Sequence, residues 1–427
     1  MDYISESTRR RTNFKPSDMI EYRDYQLAII ELGTSIIQVH GFLYLAMEVR
    51  TGKTLTSLGI CEQLNVENVL FLTKKKAISS ITSDFEMMCP TNFTLFTINY
   101  ESMHKLPPTA WDVIICDEAH SLGAFAKPNN RAKAVKALIQ KHRSRVILMS
   151  GTPTPESYSQ MYHQVYGIPN NPFKEYKNFY KFAHDYVKVT QRRINALLIN
   201  DYSNGLKTIL DRMSPYTIRF SQENAGFKVK TTEKVLEVEM EEDTYKIAKR
   251  LQKDLVVEGK EQIILADTPV KLMMKLHQIF SGTVKFESGH SMVMDFSKAE
   301  FIKKHFQGQK IGIFYKFKAE LAALKQVFED GLTTELEEFN TTDKCIALQI
   351  VSGREGISLK KASALVYYNI DFSATSYWQS RDRMTTKDRL HNDVYWVFAK
   401  GGIEKQIYKA VTKKKDYTIN HFKKDFK

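Results

Sequence analysis

The chain has 427 residues, which is too long for one ordinary domain and predicts two or three compact units. Hydrophobic residues at 43% and charged residues at 26% are typical of a globular protein and exclude a mostly disordered chain. The 62 Lys and Arg against 49 Asp and Glu give a net charge of +13, which favours a polyanionic partner. Charge alone does not distinguish such a protein from one that is merely basic.

Cysteine usage and the N-terminal sequence limit the cellular compartment. Cys61, Cys89, Cys116 and Cys345 form no Cys-x-x-Cys pair, which argues against a zinc site and against a secreted disulfide framework. Residues 1–15 are polar, and no apolar run approaches the length of a membrane span or a signal peptide. We therefore expect a cytoplasmic protein without a membrane partner.

A helix is predicted near the start of the chain, where residues 23–26 open the apolar-periodic segment 27–32. Gln26 would lie at the first turn of that helix. Its amide could donate to and accept from the edge of an adenine, or it could be an ordinary surface glutamine at a helix start.

Residues 42–64 have the order strand, loop and helix. The apolar run 42–45 precedes a loop, and apolar residues at helical spacing follow at 55–64. Backbone N–H groups of such a loop hold a polyphosphate, and Gly52 would let the backbone approach it closely. Lys53 would reach the β and γ phosphates, and the hydroxyl of Thr54 would ligate Mg²⁺. The first glycine of the usual pattern falls on Met47, so the match is partial. An ordinary loop entering a helix is the alternative.

Two further strands are predicted at 69–72 and 93–98. Thr73 and Lys74 follow the first of them, where a parallel strand meets a ligand in the sheet crevice. They could hold phosphates, although a solvated lysine run is the ordinary explanation. Asn99 and Tyr100 follow the second strand.

The apolar run 113–116 predicts a strand that is buried on both faces and ends at Asp117 and Glu118. Adjacent carboxylates at such a place are costly without a compensating cation, and Mg²⁺ would supply it. Asp117 would then hold the metal through its water shell, while Glu118 orients and deprotonates the water that attacks a γ-phosphate. The alternative is an acidic N-cap.

The next strand, 146–149, ends at Ser150, Gly151 and Thr152, a combination that suits a hinge sensing the metal site. Aromatic and basic residues then interleave over 170–193. They could stack bases and neutralise phosphates, but their helical spacing favours a packed helix with a basic outer face.

A change of composition at about 220–232 predicts a domain boundary. Strands at 311–315, 346–351 and 364–369 and a helix at 318–328 then indicate a second α/β unit. Its later part carries Arg381, Arg383 and Arg389, any of which could act as an arginine finger. Surface arginines of a basic protein are the alternative.

The motifs taken in order resemble those of superfamily 2 helicases and translocases. The resemblance is closer to the Swi/Snf-like branch and to small phage-encoded DNA helicases of the branch-migration type, and it extends over 22–422. The motifs that carry it are Arg-x-Tyr-Gln at 23–26, Gly-Lys-Thr at 52–54, Asn-Tyr-Glu at 99–101, Asp-Glu-Ala-His at 117–120, Ser-Gly-Thr-Pro at 150–153, Leu-His-Gln at 276–278, Ile-Phe-Tyr at 313–315, Ser-Gly-Arg-Glu-Gly at 352–356 and the segment 379–383.

The resemblance implies a P-loop NTPase fold with two RecA-like lobes and parallel central sheets, ATP lying between the lobes. The lobes would be 1–225, with a helical extension at about 155–220, and 226–427.

The residue roles that the resemblance implies fall into four groups. Lys53, Asp117 and Glu118 would be catalytic, with Thr54 and Asp117 holding Mg²⁺. The nucleotide would be bound by Arg23, Gln26, Thr51, Gly52, Lys53, Thr54, Gly356 and Gln379. Nucleic acid would be gripped by Thr73, Lys74, Asn99, Tyr100, Lys316, Ser352, Gly353 and Arg354. Ser150, Gly151 and Thr152 would couple hydrolysis to movement.

The last motif departs from the family pattern Gln-x-x-Gly-Arg-x-x-Arg. Gln379 and Arg383 fit, but Asp382 and Thr386 stand at the glycine and final arginine positions. The expected finger is therefore Arg383 first, then Arg381 or Arg389.

These expectations describe an ATP-driven motor that moves on forked or branched DNA, in a host cytoplasm if the gene is from a phage, with other replication or recombination proteins as possible partners. Two alternatives stay open: the protein could move on duplex DNA without separating strands, or serve as the motor subunit of a restriction or repair complex. A protein that binds DNA under nucleotide control without stepping is disfavoured, because Glu118 is present where hydrolysis requires it.

Overall fold

The computed structural model describes residues 21–89, 92–194, 197–258, 262–350, 358–373, 376–377, 380–381, 383–386 and 389–413. The chain divides into two compact units, Met1–Gly226 and Phe227–Lys427. Each unit contains a six-stranded sheet in which every neighbouring pair of strands is parallel. The predicted fold class, two α/β lobes of the RecA type with parallel central sheets, is confirmed. Within the described ranges, no helix is long and apolar enough to cross a membrane.

The first unit begins with a helix and then alternates strands and helices. Its first part consists of α1 (Asp24–His40), β1 (Phe42–Met47), α2 (Lys53–Gln63), β2 (Asn68–Thr73), α3 (Ile78–Met88), β3 (Thr94–Asn99), β4 (Val113–Cys116), α4 (Asn130–His142) and β5 (Arg145–Met149). The remainder consists of α5 (Met161–Val165), α6 (Phe179–Tyr186), β6 (Thr190–Ile194), β7 (Leu197–Asp201), α7 (Thr208–Met213) and β8 (Thr217–Phe220).

The sheet of the first unit has the strand order β3-β2-β4-β5-β1-β8. Its central strands are apolar runs buried on both faces, because helices cover a parallel sheet on both sides. The register pairs Leu72 with Cys116 and Cys116 with Leu148, so the strands end level with one another. The residues that follow β1, β2, β4 and β5 are therefore delivered to the same edge.

Residues 155–220 contain more than helices. Phe173, Phe179 and Phe182 are buried in an aromatic cluster, so the interpretation of residues 170–193 as a packed helix is confirmed for the part that forms α6. The segment also holds an antiparallel ribbon, β6 with β7, and returns to the main sheet as β8. A ribbon was not expected here, since residues 190–201 lack a tight-turn dipeptide such as Asn-Gly.

The second unit has the sheet order β15-β16-β14-β17-β18-β9. Its elements are β9 (Lys230–Val238), α8 (Glu242–Asp254), β10 (Val256–Glu258), β11 (Ile263–Leu265), α9 (Pro269–Ile279), β12 (Thr283–Lys285), β13 (Ser291–Val293), α10 (Ser297–His305), β14 (Ile311–Tyr315), α11 (Lys318–Phe328), β15 (Leu332–Thr333), α12 (Leu336–Thr341), β16 (Cys345–Gln349), β17 (Ala364–Tyr367), β18 (His391–Ala399) and α13 (Glu404–Val411).

A buried ion pair fixes two helices of the second unit to each other. Lys298 of α10 and Glu404 of α13 are both fully buried, with Nζ and Oε1 2.6 Å apart. Lys298 also donates to the carbonyl of Tyr368, at 3.3 Å. Such a pair need not stabilise the fold more than apolar residues would, but removing one partner leaves a buried charge without compensation.

Substituting Glu404→Gln should destabilise the second unit by roughly 3–5 kcal/mol, because Lys298 would remain charged and buried. Urea unfolding followed by circular dichroism measures the change. The control is Glu239→Gln, which breaks an exposed pair with Lys400 whose atoms are 2.9 Å apart and should change stability little. Equal losses in the two variants would contradict the prediction.

Candidate active site

The loop between β1 and α2 is the first part of the site. Gly52 has φ +81° at the N-terminus of α2, and Arg50 has φ +63°. Lys53 folds back onto the loop, its Nζ donating to the carbonyls of Met47 at 2.9 Å and Glu48 at 3.0 Å. The backbone of the loop between β1 and α2 therefore surrounds the ammonium group of Lys53. The same ammonium can turn to a phosphate once one is present.

Two more predicted nucleotide residues reinforce this loop. The buried hydroxyl of Thr51 donates to the carbonyl of Glu48 at 2.7 Å, and Thr54 lies in the first turn of α2. A Cβ on Gly52 would lie 2.5 Å from Nε2 of Gln26. Only glycine fits both this close approach and the positive φ.

Gln26 is buried at the start of α1 and holds that helix against the loop. Its Oε1 accepts from the backbone N–H of Arg23 at 3.0 Å, and its Nε2 donates to the carbonyl of Gly52 at 3.5 Å. Arg23 is exposed and donates to the hydroxyl of Tyr25 at 3.0 Å. The helix prediction is confirmed, while adenine recognition by Gln26 stays a prediction.

The end of the first unit holds the loop 48–52 between β1 and α2, which is predicted to bind phosphate and is called the phosphate-binding loop below. The backbone N–H of Gln222 donates to the Glu48 carboxylate at 2.7 Å, and its side-chain Nε2 donates to the carbonyl of Val49 at 2.9 Å. The N–H of Glu48 in turn donates to the carbonyl of Phe220 at 2.9 Å. Gln222 was not anticipated, because 173 positions separate it from Val49 and no short motif marks it.

Asp117 and Glu118 follow β4 as predicted. Asp117 accepts from the Thr73 hydroxyl at 2.8 Å and from the backbone N–H of Glu118 at 2.9 Å, and its carbonyl accepts from the Tyr100 hydroxyl at 2.6 Å. Three groups therefore fix the position of Asp117 relative to β2 and β3.

Thr73 and Tyr100 were expected to contact nucleic acid, and this is corrected. Both are buried, and their hydroxyls are engaged by Asp117. Parallel strands that end level place neighbouring side chains against one another, so these two side chains orient the carboxylate and do not face a phosphate backbone.

His120 holds Glu118 and joins it to the predicted hinge. Its Nδ1 lies 3.1 Å from Oε2 of Glu118 and 3.0 Å from Oγ of Ser150, and Ser150 Oγ accepts from the N–H of Thr152 at 3.1 Å. Because a carboxylate only accepts, the tautomer with the proton on Nδ1 suits the contact with Glu118. His120 belongs to a recognised motif, yet sequence reasoning gave it no role.

The predicted hinge at residues 150–152, called the hinge turn below, also contacts the phosphate-binding loop. A Cβ on Gly151 would lie 3.5 Å from the carbonyl of Met47 and from the N–H of Val49. The turn therefore packs on that loop and, through Ser150, on the carboxylate pair. This position fits the expected coupling role of Ser150, Gly151 and Thr152, which stays a prediction.

The two carboxylates differ in acidity. Desolvation and the charge of Glu118 raise the pKa of Asp117 to about 6. Burial also raises the pKa of Glu118, but the hydrogen bond and charge of His120, with the charges of Lys53 and Lys74, outweigh it and bring that pKa to about 2. Glu118 is thus ionised at neutral pH, whereas Asp117 takes up a proton at a higher pH than an ordinary aspartate does.

This donor set fits Mg²⁺. Burial beside the charge of Glu118 raises the pKa of Asp117. Mg²⁺ binds through one or two carboxylates together with substrate phosphates, so a carboxylate in this position suits it. Among the described residues no cluster of three or more His, Cys, Asp or Glu could form a dedicated metal cage. Thr54 and Asp117 would hold the ion, which would neutralise phosphate charge.

The remaining predicted contacts with nucleic acid differ in how they are engaged. Asn99 is half-buried and donates to the Glu101 carboxylate at 3.1 Å. Lys74 is half-buried, and its charge acts on Glu118. Lys316 forms an ion pair with Asp371 at 2.5 Å and is 13% exposed, so a phosphate would have to compete with that carboxylate. Ser352, Gly353 and Arg354 lie outside the described residues, as do Gly356 and Gln379.

The three arginine candidates are held differently within the second unit. The guanidinium of Arg389 donates to four backbone carbonyls, those of His391, Lys360, Ala362 and Ser363. Arg381 pairs with Glu233 at 2.8 Å, while Arg383 is half-buried. Arg389 therefore links neighbouring backbone segments of the second unit, and its guanidinium group is already engaged there. We no longer consider it a candidate arginine finger. The order between Arg383 and Arg381 stays a prediction.

A comparison with protein families identifies the group to which this chain belongs. Residues 61–285 match the model of the SNF2-related domain, a region that includes Asp117, Glu118 and the hinge turn. The chain belongs to the SNF2-related domain family. The resemblance to the Swi/Snf-like branch is confirmed to that extent.

One curated protein and two solved structures are similar to this chain at low sequence identity. The CHD3-type chromatin-remodeling factor CHR7 of Arabidopsis thaliana is 21% identical over 370 residues, which is 76% of this chain and 28% of that protein. Two solved structures of the Sulfolobus solfataricus SWI2/SNF2 ATPase core, one with dsDNA and one of the core domain, each give a TM-score of 0.42. The structure with dsDNA is 15% identical to this chain, and the match covers 94% of this chain and 93% of that one. The structure of the core domain is 14% identical, and the match covers 93% of this chain and 90% of that one. The chain spans under a third of the curated relative's length.

Substituting Asp117→Asn should change stability in a pH-dependent way. The folded pKa of about 6 lies above the ordinary value of 3.8, so the wild-type fold loses stability as pH rises from about 4 to about 6. Asparagine does not titrate. The melting temperature of Asp117→Asn relative to wild type should therefore be higher at pH 8 than at pH 4, by the equivalent of roughly 2–3 kcal/mol at most. A difference that does not depend on pH would contradict this, and scanning calorimetry measures it.

Substituting Gln222→Ala should weaken nucleotide binding without removing any group expected to touch the nucleotide. Loss of one hydrogen bond to the carbonyl of Val49, worth about 1 kcal/mol, corresponds to about a fivefold higher Kd for ATP. Titration with a fluorescent ATP analogue measures it. Glu223→Ala is the matched control, since Glu223 is an exposed neighbour in the same connection. Equal affinity in Gln222→Ala and wild type would contradict this expectation.

Proposed function

We propose that this protein is an ATP-driven DNA motor that acts in the cytoplasm and separates or branch-migrates strands at forks and junctions. The observation that carries the proposal is the connection from Glu118 through His120 to Ser150, with atoms 3.1 and 3.0 Å apart. The proposed hydrolytic carboxylate is thereby joined by hydrogen bonds to the turn at Ser150, which is the predicted hinge. Coupling of hydrolysis to motion would need such a connection.

Nucleotide binding would retune the hydrolytic carboxylate. Lys53 now donates to its own loop, and its positive charge contributes to the low pKa of Glu118. A nucleotide that engages Lys53 would bring phosphate charge, and the Mg²⁺ bound with it would bring positive charge, so the electrostatic surroundings of Glu118 would change when a nucleotide binds.

DNA is the proposed polyanion. The net charge of +13 favours long-range attraction to it, and the curated relative is described as a chromatin-remodeling factor. Lys74, Asn99, Lys316, Ser352, Gly353 and Arg354 are the proposed contacts. Preference for forks and junctions, and for other replication or recombination proteins as partners, rests on the resemblance to small phage branch-migration helicases.

Family membership favours a second candidate, translocation along duplex DNA without strand separation. The matched SNF2-related region spans the carboxylate pair and the hinge and extends into the second unit. A motor subunit that feeds DNA to a nuclease on another chain would use the same parts. These readings share ATP hydrolysis stimulated by DNA and differ in what happens to the strands.

Hydrolysis is tested with Lys53→Ala and Glu118→Gln. Each should lower ATP turnover in the presence of DNA by about 100-fold or more, because one removes the phosphate contact and the other the base. Phosphate release measures turnover. Glu86→Gln, at an exposed position of α3, is the control for the carboxylate change. Retained turnover in both variants would reject the site.

Strand separation is tested on three substrates, each with ATP: a fork, a four-way junction and a blunt duplex that carries a triplex-forming third strand. Displacement from the fork or junction supports the leading proposal. Displacement of the third strand alone supports duplex translocation and rejects unwinding. Wild-type protein that hydrolyses ATP without any displacement rejects both.

A further inference from the structure

The ribbon formed by β6 and β7 has no partner sheet among the described strands, since each of the two strands pairs only with the other. Leu198 and Ile199 on β7 are 67% and 47% exposed. Consecutive residues of a strand point to opposite faces, so both faces of the ribbon carry an exposed apolar side chain. An isolated two-stranded ribbon is marginally stable in water, and nothing described in the first unit covers these two side chains.

Basic residues accompany the apolar ones. The register places Arg193 opposite Leu198 and Arg192 opposite Ile199. Lys188, which is exposed, lies just before the ribbon, and the only acid between residues 188 and 201 is Asp201. Each exposed apolar position is thus paired in the ladder with a cationic one. A nucleotide offers a base for apolar contact and a phosphate for the cation, whereas an ordinary apolar protein surface offers no anion.

The base of the ribbon is fastened to the segment that follows the hinge turn. The N–H of Gly205 donates to Oγ of Ser157 at 3.1 Å, and Oγ of Ser159 donates to the carbonyl of Tyr202 at 2.7 Å. A Cβ on Gly205 would lie 2.5 Å from the backbone nitrogen of Ser159, so the two segments are in direct contact. The base of the ribbon is therefore held to residues 157–159 by two hydrogen bonds and by close backbone packing.

The hinge turn is tied to the same region from its other end. The carbonyl of Pro153 accepts from Nε2 of Gln164 at 2.7 Å, and Oε1 of Gln164 accepts from the hydroxyl of Tyr44 on β1 at 2.7 Å. Tyr44 and Gln164 are buried. A short stretch of chain, 150–159, therefore touches the carboxylate site at its start and the ribbon at its end.

We propose that the ribbon engages the branch point of DNA, with Leu198 and Ile199 contacting bases that have lost their pairing partners. Apolar side chains inserted between base steps unstack them, and neighbouring cations hold the backbone. The inference rests on the proposed motor function and adds the element that separates strands. Movement of the hinge turn would be delivered to the ribbon base through residues 157–159.

The double variant Leu198→Ser/Ile199→Ser tests this in the full-length chain. It keeps the ladder and the charge but removes the apolar groups. Displacement from forks and four-way junctions should fall about tenfold, since the base contacts are lost. ATP hydrolysis with blunt linear duplex, which has no branch point, should stay within about twofold of wild type. The matched control is Leu32→Ser, a leucine 53% exposed on α1.

Crosslinking locates the contact independently of rates. A photoreactive phenylalanine at position 198 should label the nucleotides at the branch point of a fork, and the same group at position 32 should not. Labelling of a second copy of the chain, together with a wild-type dimer that the double variant dissociates on ultracentrifugation, would overturn the proposal in favour of a protein contact.

The two proposals fail in different ways. Wild-type protein without DNA-stimulated ATP hydrolysis would reject the proposed function. Wild-type protein that displaces strands, with a double variant that displaces them equally well, would reject the ribbon alone. Circular dichroism and thermal melting confirm that the variant is folded, so loss of activity by unfolding is excluded.

Discussion

The carboxylate pair that ends β4 is the constraint on which the first unit depends. Two adjacent acids at the end of a buried strand repel each other and lose hydration, and the pKa of Asp117, raised to about 6, records that cost. The fold meets it with donors from three directions. Thr73 and the N–H of Glu118 bind one carboxylate, His120 binds the other, and the ammonium of Lys53 supplies charge to both.

The same donors make the site sensitive to its surroundings. Tyr100 joins Asp117 to the end of β3, where Asn99 and Glu101 reach the surface. Arg131 packs over the Tyr100 ring, with its guanidinium carbon 5.3 Å from the ring centre, and forms an ion pair with Glu101. A continuous series of contacts therefore runs from Asp117 through Tyr100 to Arg131 and Glu101.

How far the sequence predicts this arrangement depends on the range of the contact. Apolar runs identified β1, β2, β4 and β5, because strands buried on both faces need no alternation. The Gly52-Lys53-Thr54 loop was predictable for the same local reason. The partners of Thr73 and Tyr100 were not, since a strand's end indicates the sheet edge on which a side chain lies but not its neighbour. That neighbour follows from the register, which pairs Thr73 with Asn99 and Leu72 with Cys116.

The features that escaped prediction are long-range or lack a local signal. Gln222 bonds across more than 170 positions to the phosphate-binding loop. Arg389 could be separated from the other arginines only by its four carbonyl partners, which come from segments on both sides of it in the chain. The ribbon at 190–201 mixes apolar and basic residues without a tight-turn signal, so its sequence suits a helix as well as a strand pair.

Met47 shows how a departure from a motif can have a structural cause. The usual pattern has glycine there, but in this chain β1 continues to Met47, which is buried and pairs with Phe220 of β8. Strand pairing and a buried side chain fix the backbone that glycine would loosen, and the positive φ angles fall later, at Arg50 and Gly52. Because β8 ends next to Gln222, the pairing that replaces glycine also brings Gln222 to Glu48 and Val49. The loop that is predicted to receive a phosphate is therefore held by the last strand of its own unit, which lies shortly before the second unit begins in the sequence.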